Sequence, residues 1–226
     1  MTRPRLADLY CCEGGAARGY HRAGFDVTGV DVKPQPRYPY PFVLADALVY
    51  LAEHGRRFDA VHASPPCQLH SAGTRYRDRS DYPDLIAPTR AALVDLGKPY
   101  VIENVEGAPV AGLTLCGTEF GLTALDVDGR TVALRRHRVF ESNVFLWGAG
   151  GCQCGTWAGR IAGVYGAGSS TPAKAKVRHG GYTPTAPVAA ALLGVEGMTR
   201  YGMTQAIPPA YTAFIGDQLL AYLAGA

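Results

Sequence analysis

Two hydrophobic rhythms alternate along the first hundred residues. Compact apolar runs at residues 6–10, 25–31, 42–46, 58–63 and 100–105 read as strands. Between them, residues 17–23, 47–54 and 84–96 space their apolar positions as a helix does. Gly24 ends the first of these helices and a proline-rich loop covers residues 34–41. This βαβα order predicts an α/β fold: a Rossmann-like, doubly wound, mostly parallel sheet that binds ligands at the carboxyl ends of its strands. The second half breaks the rhythm. Residues 146–187 are rich in Gly, Ser, Thr and Pro, which suggests an irregular lobe. Order returns after residue 203, where Pro208-Pro209 opens an amphipathic helix over residues 211–223. The expected organisation is a core at residues 1–140, a small lobe at 141–200 and a returning helix at 201–226. No internal repeat is found.

Composition changes this picture little. The 226 residues carry a net charge of only +3, so charge alone does not argue for a nucleic acid. Of the 22 basic residues 18 are Arg, a ratio that GC-rich codon usage explains, although it does not explain where the arginines cluster. No apolar run is long enough to span a bilayer, and no apolar segment of a signal peptide follows the basic start, so neither a membrane nor export is expected. The six cysteines form no regular framework, and a reducing, cytoplasmic setting is the simpler reading. Cys152-Gln153-Cys154 could begin a zinc site. A CxC with no second pair is weak evidence, and no metal is expected. A monomer is expected.

The chemistry lies at the predicted strand ends. In Ser64-Pro65-Pro66-Cys67-Gln68, two prolines without N–H groups stiffen a turn that presents one thiol. A small buried apolar Cys is the plain reading, and a nucleophile at a strand end is the functional one. Gly14-Gly15 lets backbone approach a ligand at a helix start, although no G-x-G-x-x-G dinucleotide pattern is present. Asp31 and Asp46 end the next two strands. Each alone reads as a turn residue or N-cap; together with the glycine turn they fit an adenosine pocket, Asp31 on the ribose and Asp46 on the adenine amino group. Glu103 and Asn104 end the strand expected beside that of Cys67, so a thiol and a carboxyl would share one cleft.

Asp8-Leu9-Tyr10…Gly14-Gly15, Ser64-Pro65-Pro66-Cys67-Gln68, Glu103-Asn104-Val105 and Arg136-His137-Arg138 occur in the order found in DNA (cytosine-5) methyltransferases. The chain resembles that family, in a small, phage-like or orphan form, over about its first 140 residues and its C-terminal helix. The resemblance implies S-adenosylmethionine as cofactor, double-stranded DNA as partner, and base flipping, since a stacked base is out of reach. Cys67 would attack C6 of cytosine and Glu103 would protonate or hydrogen-bond N3. Arg138 would hold O2, with Arg136 in support. Asp8, Tyr10, Gly14, Gly15, Asp31, Asp46 and Pro66 would bind the cofactor. Gln68, Asn104 and the loop arginines Arg75, Arg77 and Arg79 would bind the substrate, the arginines clasping phosphates.

The chain also departs from the family pattern. Cys11, Cys12 and Glu13 stand where more apolar residues are usual, and Leu134 replaces the Gln that begins the Gln-x-Arg-x-Arg segment. Gln205-Ala206-Ile207 replaces the Gly-Asn before the last helix, with Gln205 as the substitute cofactor contact. The region left to read DNA is short. Its candidate contacts are Arg160, Ser169, Ser170, Lys174, Lys176 and Arg178, residue types that also mark plain polar loops. Ser-Pro-Pro is also similar to the Asn/Asp-Pro-Pro-aromatic motif of amino-methyltransferases, but Cys67 stands where those enzymes carry a ring. Other readings stay open: C5 transfer on tRNA or a free cytidine nucleotide, transfer from a modified sulfonium cofactor, and a DNA-binding relative without catalysis.

Overall fold

The computed structural model describes residues 2–67, 70, 83–166 and 183–225. Its main sheet begins with β1 (Arg5–Leu9), β2 (Asp26–Asp31), β3 (Phe42–Leu44), β4 (Ala60–Ala63) and β5 (Tyr100–Asn104). All four pairings among them are parallel: β3 with β2, β2 with β1, β1 with β4, and β4 with β5. Strands buried on both faces read as continuous apolar runs, and every residue of β4 and of β5 is buried. Side chains alternate between two cores. Leu6, Ala60 and Val101 face one, while Ala7, Leu9, Val61, Ala63 and Ile102 face the other.

Helices close both faces. α1 (Gly15–Ala23) and the C-terminal helix lie over the first core, and α2 (Ala47–His54) and α3 (Ile86–Leu96) over the second. Strand β6 (Leu113–Leu115) joins the sheet at its far edge, beyond β9 (Arg138–Ser142), giving the order β3-β2-β1-β4-β5-β9-β6. β9 runs antiparallel to both of its neighbours.

A second sheet of three strands, β7 (Thr123–Leu125), β8 (Thr131–Leu134) and β10 (Arg160–Ala162), builds the small lobe. With α4 (Ala186–Leu193) it encloses a separate core that includes Val132, Leu134, Ala162, Leu192 and Met203. The lobe therefore starts earlier than residue 141. A cut at 140 would fall inside β9, a strand of the main sheet. Two consecutive strands, β7 and β8, leave the main sheet before β9 returns to it, a rearrangement that local hydrophobic pattern does not reveal.

The chain ends with α5 (Arg200–Gln205) and α6 (Pro209–Gly225). Glycines let α6 lie against α1 without intervening side chains. A Cβ on Gly19 would stand 2.0 Å from Thr212 Oγ1, and one on Gly15 would stand 2.7 Å from the Ile207 carbonyl oxygen. Thr212 Oγ1 fills the space by donating to the Ala16 carbonyl at 2.8 Å. Among the described residues no helix is long and apolar enough to cross a membrane.

Candidate active site

Strand register assembles the site. Leu9 pairs with Val30 and with Ala63, and Ala63 pairs with Ile102. The next residues, Tyr10, Asp31, Ser64 and Glu103, consequently form one row across the carboxyl ends of four parallel strands. The sheet order changes direction at β1, and a crevice opens there. Antiparallel β9 adds the last element: it starts where β5 ends, so Arg138 enters the row beside Glu103. The resulting cleft is lined by Asp8, Tyr10, Gly15, Asp31, Pro66, Cys67, Glu103, Arg138 and Gln205, among others. Nine side chains or glycines singled out from sequence thus face one space.

One end of the cleft is buried and charge-paired. Arg138 Nε lies 2.9 Å from Glu103 Oε1, and both residues are buried. Arg138 also donates to the His137 carbonyl at 2.7 Å, which fixes the guanidinium. Burial pushes the Glu103 carboxyl up, against the pull of Arg138 and a Ser64 hydrogen bond. Burial and the nearby Glu103 carboxylate likewise push the Cys67 thiol up, with Arg138 and Arg136 opposing. Asn104 holds the turn of Cys67: its Nδ2 donates to the Pro65 carbonyl at 3.0 Å, and its Oδ1 accepts from Val105 N at 2.9 Å. It does not line the cleft itself.

Behind Glu103 runs a buried polar chain that sequence reasoning missed. Tyr20 OH is 3.0 Å from His62 Nδ1, and His62 Nε2 is 2.9 Å from Ser64 Oγ. Burial pulls His62 down to about 3, so it is neutral at physiological pH. With Nδ1 accepting from Tyr20, Nε2 donates to Ser64, whose hydroxyl then points its proton to Glu103. The available signal was a histidine inside the otherwise apolar run of β4.

The other end of the cleft is acidic. Asp31 is buried and accepts from Cys12 N at 3.0 Å and Lys33 N at 2.9 Å. Asp8, 1% exposed, accepts from the Tyr38 hydroxyl at 3.2 Å. Burial raises the Asp8 carboxyl to about 7. Tyr10 and Cys12 adopt left-handed backbone at φ 59 and 45, a costly conformation for such residues that bends the chain tightly around the crevice. Glu13 anchors a distant segment, because its carboxylate accepts from Thr199 N at 2.7 Å and from the Thr199 hydroxyl. Thr199 in turn caps α5, with its Oγ1 accepting from Gly202 N at 2.9 Å. This contact, between residues 186 positions apart, brings Gln205 to the cleft.

Several expected residues stand elsewhere. Asp46 is exposed, and its carboxylate caps α2 by accepting from Leu48 N and Val49 N at 2.9 and 3.0 Å. Register explains this, because Asp31 pairs with Leu44 and Asp46 lies two residues past the row. Gly14 holds φ 78 and packs under Tyr38 without facing the cleft. Arg136 is fully buried and also outside the cleft lining. It donates to the carbonyls of Val164 at 3.0 Å and Thr204 at 2.7 Å, joining the segment after β10 to α5. Arg160 pairs with Asp126 and Asp128 inside the lobe. Gln68, Arg75, Arg77, Arg79, Ser169, Ser170, Lys174, Lys176 and Arg178 lie outside the described residues.

This architecture is the class I S-adenosylmethionine-dependent methyltransferase fold: a seven-stranded, mostly parallel sheet with its cleft at the strand carboxyl ends. The S. pombe Dnmt2 methyltransferase superposes with a TM-score of 0.60 at 14% identity, over 98% of this chain and 99% of that one. The Entamoeba histolytica methyltransferase EhMeth gives 0.61 at 10% identity, over 99% of each chain. A putative DNA modification methyltransferase encoded within an E. coli prophage gives 0.58 at 14% identity, over 99% of this chain and 100% of the other. By sequence, the chain is a homologue of Type II methyltransferase M.XorII of Xanthomonas oryzae pv. oryzae, 33% identical over 127 residues. That match covers 49% of this chain and 30% of the relative's length. No protein-family model matches the chain. The likenesses agree with the resemblance to DNA (cytosine-5) methyltransferases that the motifs carry.

Proposed function

We propose that this chain methylates C5 of cytosine in double-stranded DNA, using S-adenosylmethionine and a transient bond from Cys67 to C6. One observation carries the reading: a thiol, a buried carboxyl with raised proton affinity and an arginine share one cleft, with Cys67 on a proline-stiffened turn. The other end of the cleft suits the cofactor. Asp8, Glu13 and Asp31 outnumber the single Lys33 there, which favours a cationic sulfonium with ribose hydroxyls over a phosphate-bearing nucleotide. Asp31 would take the ribose, Gly15 would admit the ligand's close approach, and Asp8, Tyr10, Pro66 and Gln205 would line its methionine end. When bound, S-adenosylmethionine supplies an electrophilic methyl group and leaves as S-adenosylhomocysteine.

Each residue has a distinct part. Cys67 gives up its proton to solvent, and the sulfur electron pair forms the bond to C6. The C5=C6 pair shifts toward C4, the C4=N3 pair moves onto N3, and Glu103 delivers its proton there. Arg138 steadies the Glu103 carboxylate that remains and can hold the cytosine O2. C5 is then nucleophilic and takes the methyl group. Loss of the C5 proton to solvent restores C5=C6 and expels the Cys67 thiolate, and N3 returns its proton to the Glu103 carboxylate. The raised Glu103 carboxyl suits this role, because it can be protonated nearer neutrality than an exposed glutamic acid. The target base must leave the stack to reach the cleft.

Methyl-labelled cofactor offered with duplex DNA, tRNA or dCMP tests the substrate. Label on duplex cytosine C5 alone, with a denaturation-resistant adduct on a 5-fluorocytosine duplex, is expected. Label on tRNA or dCMP but not DNA would move the substrate assignment. DNA binding with neither label nor adduct would indicate a relative without catalysis.

A further inference from the structure

Outside the cleft, a second cluster of reactive side chains has no part in methyl transfer. Cys116, His137, Cys152 and Cys154 each direct one donor atom to a common point, and these atoms all lie within 4.8 Å of one another. We propose that these four residues bind one zinc ion, a closed structural site that clamps the small lobe to the edge of the catalytic sheet.

Sheet register builds half of the site. Leu115 pairs with Arg138, so the next step along antiparallel β6 and β9 sets Cys116 opposite His137. On the other side of β9, Asn104 pairs with Val139, and the chain beyond β5 carries Glu106 toward His137. Glu106 Oε2 lies 3.0 Å from His137 Nδ1. A carboxylate on Nδ1 fixes the ring and turns Nε2 outward as the ligand atom. His137 Nε2 is 3.2 Å from Cys152 Sγ and 3.5 Å from Cys154 Sγ. The two sulfurs of the CxC are 3.1 Å apart, and Cys154 N donates to Cys152 Sγ at 3.4 Å.

These separations suit a tetrahedral ion. Zn–S of about 2.3 Å and Zn–N of about 2.0 Å place donors roughly 3.5–3.8 Å apart, so the four atoms need only small adjustments to bind. Three thiolates and an imidazole select a soft or borderline ion, and magnesium or calcium would require oxygen donors. The surroundings support such ligands. Thr118 Oγ1 donates to Cys116 Sγ at 3.5 Å and sits 3.8 Å from Cys152 Sγ. It also accepts from Gln153 N at 3.1 Å, locking the CxC loop in place. Cys116 is fully buried and Cys152 exposed, which gives the ion a path in from solvent.

All four positions would be filled by protein, so the ion would not activate water or substrate. Its effect would be positional. His137 lies between Arg136, which joins the segment after β10 to α5, and Arg138, which pairs with Glu103. The ion would join that segment to the strand edge at Cys116 and to the loop at 152–154. The site is independent of the substrate assigned above.

Elemental analysis of the full chain, purified without added metal or chelator, tests the proposal directly. About one zinc per chain is expected. After stripping and reduction, cobalt(II) should bind in near-equimolar amount with the visible d–d bands of a tetrahedral ion and thiolate-to-metal charge transfer. Cys152→Ser with Cys154→Ser should lose at least nine-tenths of the metal, while Cys12→Ser should keep it. If the double variant fails to fold, the cobalt titration of the unmodified chain still decides. Less than a tenth of an equivalent of zinc with no tetrahedral cobalt spectrum would overturn the site. So would an intact mass lacking two hydrogens that localises a Cys152–Cys154 disulfide in metal-free protein, or full metal retention in the double variant.

Discussion

The main sheet and the small lobe are stabilised in different ways. In the main sheet, five parallel strands share an unbroken hydrogen-bonded ladder and two helix-covered cores. The lobe has three short strands and one core cluster; Leu122 packs against both that cluster and the first core of the main sheet, and polar contacts add to this, among them Arg136 to Val164 and Thr204, and Glu13 to Thr199. The more extensive burial of the first region predicts that it opens less readily than the second. The row at the strand ends belongs to the first region. The proposed methyl transfer requires its groups to be held closely there.

The largest expected effect leaves both regions intact. Cys67→Ala should lower turnover by more than about a thousandfold, since loss of a nucleophile is not made up by the remaining groups. Binding of duplex DNA should persist, and a labelled-methyl assay run beside a DNA-binding titration checks both. Retained turnover would remove Cys67 from the chemistry.

Arg136→Met separates the two regions. It leaves the buried Val164 carbonyl and the half-buried Thr204 carbonyl without their donor, at a cost of about 2–4 kcal/mol. Hydrogen exchange should speed up in β8 and β10 while β1 and β4 stay protected. Uniform acceleration in both sheets would show that they unfold as one unit.

A change confined to the main sheet should be smaller. Asp31→Ala should weaken cofactor binding by roughly ten- to a hundredfold, the effect of losing charged hydrogen bonds worth about 1.5–3 kcal/mol. DNA affinity should move far less. An unchanged cofactor titration would take Asp31 out of the pocket.

The smallest effect concerns protons. Burial raises Asp8 to about 7 in the folded chain, so folding favours its neutral form. The stability linked to this group is full below the unfolded value near 3.8 and is lost as pH rises toward 7. A cationic cofactor reverses the preference and favours the carboxylate. Cofactor affinity should therefore rise a few-fold between about pH 6 and 8, with proton release to buffer on binding. Calorimetry in buffers of different ionisation heat measures that release, and Asp8→Asn should abolish it. Equal heats in all buffers would show that Asp8 does not sense the ligand.

Much of the main sheet was legible because its signals are local. Periodicity located all five parallel strands to within a few residues, and helix 47–54 matched α2 end to end. Strand-terminal chemistry placed Asp31, Cys67 and Glu103 because parallel βαβ units put every carboxyl end on one side. Local signals failed where pairing is non-local. Asp46 is an N-cap because β3 stops short of it, and Arg136 is a tie because the segment after β10 and α5 meet over it. Glu13 gave no hint of Thr199, and the CxC gave none of Cys116 or His137, because those partners converge only after β9 inserts antiparallel between β5 and β6.

The sequence by itself determined the alternation of strands and helices, the turn that presents Cys67 and the polar residues that stand at the strand ends, since each depends on backbone propensity and burial over a few residues. Tertiary structure alone decided which polar side chains share a cleft, which tie the lobe down and which four donors meet. Those outcomes rest on strand register and helix packing, which bring together residues that lie far apart along the chain.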